Sequence, residues 1–109
     1  MSKQHDKILE IIQGHYRDNP ITSAEIAERL KIEDSTAWPK TRRLILETMG
    51  FKRIAIGACR KGYYLISSET ELNEYTQDLA SRAEEITGRI ELVHNCYYER
   101  NGADNETNL

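Results

Sequence analysis

Apolar positions recur at helical spacing in four stretches of this chain and at strand spacing in one. In KQHDKILEIIQGHY, residues 3–16, Ile8, Leu9, Ile11, Ile12 and Tyr16 gather on one side of a helical wheel with charge between them. Asn19 and Pro20 break that helix, because the residue before a proline is pushed away from helical backbone. TSAEIAERL then places Thr22 and Glu25 in capping-box spacing, with Ile26, Ala27 and Leu30 as an apolar face, and predicts a second helix. KIEDSTAW is rich in turn formers, and Pro39 suits the first turn of a helix. The third helix is therefore PKTRRLILETM. It turns Leu44, Ile45, Thr48 and Met49 inward, carries Lys40, Arg42 and Arg43 near its exposed beginning, and has Gly50 as its stop.

From Phe51 the period changes. KRIAIG and GYYLI are short and rich in isoleucine and tyrosine, and GACRKG between them predicts a hairpin whose tip carries Arg60 and Lys61. Tyr63 and Tyr64 alternate across this ribbon, one for the core and one free to reach a phosphate; alternation does not say which. Ser68 and Glu71 form a second capping box, opening a long helix. Its apolar and small positions, Leu72, Thr76, Leu79, Ala83, Ile86, Ile90, Val93 and Tyr97, are spaced by alternating fours and threes, the seam of a helix that pairs lengthwise with another. Gly88 interrupts it at a cost of about 1 kcal/mol relative to alanine and marks a kink or a close approach. The resulting division is a head over residues 1–67, a helix over 68–99 and a flexible polar tail over 100–109.

Charge separates the head from the helix. Up to Ile66 there are twelve Lys and Arg against eight Asp and Glu, a balance of +4; from Ser67 onward three stand against ten, a balance of -7, which together return the chain's -3. A basic head is compatible with a nucleic-acid partner that the total charge hides.

Other chemistry is sparse. Cys59 and Cys96 fall into no ligand spacing and are expected as reduced thiols. His5, His15 and His94 are scattered among polar neighbours. With no phosphate loop and no nucleophile beside a base, the expectation is a protein that is not an enzyme and has neither cofactor nor metal. No run of eighteen apolar residues is present, and MSKQHDKILEII lacks a secretory stretch, so the chain is expected in the cytoplasm and not in a membrane. Trp38 is expected to pack over the small core.

Helix, helix, turn, helix and a ribbon with a basic tip is the order of a winged helix-turn-helix domain. The predicted fold class is thus mainly α with a small antiparallel β-hairpin, a winged helix-turn-helix followed by a long C-terminal heptad helix. ITSAEIAERL, RRLILETMGF and RKGYYLI also resemble the helix-turn-helix of the biotin operon repressor family over about residues 5 to 66. TRRLI, the Gly50-Phe51 turn and RKGYYLI before a heptad-like helix are similar to small winged-helix proteins of phages and prophages. The resemblance implies double-stranded DNA binding. Lys40, Thr41, Arg42 and Arg43 would read the major groove, and Arg60 and Lys61 would hold the backbone or probe the minor groove. Pro39 departs from the family by lengthening the connection before the third helix.

Each basic group has a plainer reading. Lys40, Arg42 and Arg43 fit the solvated face of an amphipathic helix, and Arg60 and Lys61 fit edge charges that discourage sheet aggregation. The element order favours DNA. About 28 helical residues span roughly 42 Å, more than a small head can cover, so the seam is expected to form a homodimer through Leu72, Leu79, Ala83, Ile86, Ile90, Val93 and Tyr97. Thr76 and Ala83 leave its orientation open. The expected function is a homodimeric, sequence-specific transcriptional regulator of phage or prokaryotic type. Its rival is an adaptor that binds a polymerase or replication factor through the acidic helix or the wing.

Overall fold

The computed structural model describes residues 3–102. Its elements run α1 (Lys3–Ile12), α2 (Ser23–Leu30), α3 (Pro39–Lys52), β1 (Ile56–Cys59), β2 (Gly62–Leu65) and α4 (Glu69–Tyr97), with a π-helical segment at Tyr98–Gly102. The tail assigned to residues 100–109 lies outside the described residues from position 103 onward. Two compact units divide the chain at Asn73 and Glu74, inside α4.

In the first unit, α1, α2 and α3 close over Ile8, Ile12, Ile21, Ile26 and Ile45, each essentially inaccessible to solvent. Burying such a side chain contributes roughly 1.5–3 kcal/mol, so these five positions dominate the stability of a head this small. The hairpin closes one side of this core through Ile56, Tyr63 and Leu65. Its strands pair antiparallel from Ile56 opposite Leu65 to Cys59 opposite Gly62.

Ile21, in the connection between α1 and α2, extends this sheet. Its N–H donates to the Tyr63 carbonyl at 2.9 Å and the Tyr63 N–H donates back at 2.7 Å. Gly62 makes that approach possible: a Cβ there would lie 2.3 Å from the Ile21 carbonyl oxygen, and φ is +137°. Helix α1 ends at Ile12, before the residues expected to break it. Past that point the His15 carbonyl accepts from the Leu65 N–H at 2.8 Å, leaving Tyr16 an exposed partner of the sheet and not a core residue.

Two local expectations are corrected. Gly50 does not stop α3; the helix continues through Phe51 to Lys52, and Arg53 takes the left-handed terminating conformation at φ 56°. Contacts with α1 hold this last turn, where Lys52 ion-pairs with Asp6 and the Phe51 ring lies 5.0 Å from that of His5. His5 is accordingly buried, its Nε2 3.1 Å from Glu47 Oε1. The hairpin is also tighter than expected: Ala58 and Cys59 belong to β1, leaving a turn of Arg60 and Lys61 alone.

Both capping boxes are recognisable. Thr22 and Glu25 form theirs reciprocally, and the Thr22 N–H and hydroxyl hold the Glu25 carboxyl below its usual range. At α4 the Ser68 hydroxyl accepts the Glu71 N–H at 3.1 Å, but the Glu71 carboxylate reaches one residue further back, to the Ser67 N–H. Helix α4 passes through Gly88 without interruption, and a Cβ there would meet nothing within 4 Å. No close approach within the chain explains this glycine. No residue of α4 is buried.

Candidate nucleic-acid interface

Asp34 sets the beginning of α3. The first N–H groups of a helix lack intrahelical partners and need acceptors from elsewhere. Trp38, at the N-cap, has a left-handed backbone and supplies no side-chain bond. Instead Asp34 Oδ2 accepts the Thr41 N–H at 2.8 Å and the Thr41 hydroxyl at 2.9 Å, while Oδ1 accepts the N–H groups of Ser35 and Lys40 at 2.9 and 3.3 Å. The carboxylate thus ties down both sides of Ala37 and Trp38, at φ 77° and 55°. Left-handed backbone costs an L-residue roughly 1–2 kcal/mol, so the bend before α3 is an imposed geometry. It occupies an eight-residue connection, residues 31–38, consistent with the lengthening expected from Pro39.

Partial desolvation pushes the Asp34 carboxyl up, but the hydrogen bonds from Thr41, Lys40 and Ser35 together outweigh it and hold the group below its ordinary value. A lowered folded-state value stabilises above the unfolded carboxylate range, near pH 4, and that stabilisation is lost as acid protonates the folded group. Asp34→Asn is therefore expected to lower the melting temperature at about pH 6 and to approach wild type at about pH 2.5. Asp6 and Glu25, which also have lowered values, titrate in both proteins and cancel in the difference. A gap that stays constant across thermal melts at the two pH values would remove Asp34 from this role.

Thr41 is corrected by the same geometry. It is fully buried and bonded to Asp34, so it sets the helix beginning and is not available to touch a base. Arg42 and Arg43 on α3, and Arg60 and Lys61 at the hairpin tip, are exposed. None of these four has a side-chain hydrogen bond or ion pair among the described residues. Lys40 is exposed as well, its Nζ donating to the Glu33 carbonyl at 3.4 Å.

A groove of about 310 Å³ is lined by the hairpin, by Thr22, Ser23 and Ala24 at the beginning of α2, and by Trp38, the residue before α3. The tip contributes Arg60 and Lys61, beside Cys59 at the end of β1. Trp38 is half-buried there, outside the core cluster in which it was expected. Of the two tyrosines, Tyr64 is buried, its ring lying over Gly57, where a Cβ would come within 2.7 Å of it. Tyr63 packs partly on the core and partly lines the groove.

Leu46 was missed by sequence reasoning. It is 64% exposed on α3 one turn beyond Arg42 and Arg43. The signal was present, since 46 falls outside the inward stripe of 41, 44, 45 and 48.

In α4, Leu72, Leu79, Ile86, Ile90, Val93 and Tyr97 are all more than 40% exposed, as are Leu92 off the seam and Tyr98 in the π-helical segment that follows. Ala83 is exposed too, so each residue assigned to dimerisation is accessible in the single chain. Cys59 and Cys96 are free and exposed. Among the described residues no group of three or more His, Cys, Asp or Glu is arranged to hold a metal ion, and no helix is long and apolar enough to cross a membrane. Comparison with protein-family models, curated proteins and solved structures finds no match to this chain.

Proposed function

We propose that the head is a winged helix-turn-helix and that the protein is a homodimeric, sequence-specific DNA-binding regulator. The observation that carries this reading is the groove at which the cationic hairpin tip meets the approach of a helix whose first exposed side chains are cationic. The Ile21 pairing to β2 supports it, because a short strand between the first two helices completes the sheet of such a domain. Helix α3 enters the major groove. Arg42 and Arg43 donate to guanine edges, Leu46 packs on a thymine methyl, and Lys40 contacts phosphate. Arg60 and Lys61, in the role of the wing, hold the backbone alongside.

Selection of binding sites from a random duplex library at about 150 mM salt tests this reading. The expected product is a palindrome enriched over input. Folded protein that enriches nothing would instead be an interaction scaffold, and the DNA reading would fall.

A further inference from the structure

We infer that α4 pairs with the α4 of a second copy in the antiparallel sense, Thr76 facing Val93 and Ala83 facing Ile86 of that copy. The inference rests on the homodimer proposed above and adds its orientation, which the spacing alone left open. Helix α4 is one uninterrupted 29-residue element with no buried residue, so its whole seam is accessible to a partner.

The seam is uneven in side-chain size. Its first half contains the small Thr76 and Ala83, and its second half the large Ile90 and Tyr97. Close-packed interiors fill space by setting large residues against small ones. Parallel, in-register pairing sets like against like, leaving Ala83 opposite Ala83 and Thr76 opposite Thr76 while Tyr97 crowds Tyr97. Antiparallel pairing about the midpoint between Glu84 and Glu85 faces Ala83 with Ile86, sets Thr76 against the similarly sized Val93, and separates the two Tyr97 rings. Ile90 then meets Leu79 and Tyr97 meets Leu72, so all eight seam positions are used with no overhang.

The flanking positions do not enforce the parallel alternative. Oppositely charged flanks normally fix parallel register, but Arg82 and Arg89 would there face the uncharged Thr87 and His94 of the other copy. Antiparallel pairing brings Arg82 toward Arg89 of the second copy, a repulsion moderated by Asp78, which ion-pairs with Arg82 on its own helix at 2.5 Å. Gly88 falls at the position diametrically away from the seam, where a missing side chain costs the interface nothing.

The test is disulfide trapping in the full chain with Cys59→Ser and Cys96→Ser as background, adding Thr76→Cys or Val93→Cys. Light scattering first gives the mass of each protein. Antiparallel pairing predicts dimers by mass and no covalent dimer from either variant alone, since each cysteine lies some 25 Å from its own copy at 1.5 Å per residue. An equimolar mixture then gives a covalent heterodimer on mild oxidation. A covalent dimer from Thr76→Cys alone would establish parallel pairing, overturning the orientation but leaving the homodimer standing. Dimers by mass that trap in neither format would overturn this seam, and monomers by mass would overturn the homodimer itself.

Discussion

Replacing Arg42 and Arg43 together with alanine is expected to weaken binding to the selected site by about 100-fold or more, while the circular dichroism spectrum and melting temperature stay at wild-type values. Each bidentate arginine–guanine contact is worth roughly 1–3 kcal/mol of discrimination, and 1.4 kcal/mol is a factor of ten in affinity. The fold is indifferent to the change because both side chains are exposed and neither bonds within the described residues. Binding to random duplex should fall far less, since that affinity comes from phosphate charge. Equal losses on the selected site and on random duplex would mark both arginines as phosphate contacts and remove α3 as the reader. The tip supplies the contrast: Arg60→Ala with Lys61→Ala should reduce the salt dependence by about two released counterions and leave the preferred sequence unchanged.

How much of this arrangement could be read from the chain depends on the range of the interactions that built it. The Thr22–Glu25 cap spans three residues, so its spacing carried the whole motif and the structure repeats it. Helix α4 is equally legible because its pattern repeats along its length. The end of α3 is not. Gly50 is a sound local stop, yet Asp6 pairs with Lys52 from 46 residues away and His5 meets Phe51, and those contacts carry the helix on. Asp34 likewise gives no local sign that it caps a helix beginning five residues later across a left-handed bend. Thr41 is a different kind of miss. It shares the stripe of Leu44, Ile45 and Thr48 at helical spacing, and its polar side chain obscured a core position that the period already marked. Trp38 was drawn to the core by its size, but the bend leaves it lining the groove.

Ile90→Glu is expected to convert the proposed homodimer to a monomer at micromolar concentration and to weaken binding to the palindromic site by about 100-fold, with binding to an isolated half-site unchanged. Ile90 is 56% exposed in the single chain, so the substitution leaves the head intact; its cost is incurred only on pairing, where a carboxylate enters an apolar seam opposite Leu79. The DNA effect follows from linkage of two readers. Once one head is bound, the second acts at an effective concentration set by the connection between them, which multiplies affinity by about 10²–10⁴ without any new contact. A substitution of the same charge on the outer face, Gln77→Glu, should leave both mass and affinity at wild-type values and so separates seam disruption from added negative charge. Sedimentation gives the mass and titration of whole and half sites gives the coupling. If Ile90→Glu remains dimeric, or if a monomer still binds the palindrome at wild-type affinity, α4 is not what joins the two readers, and the apolar seam must serve another partner.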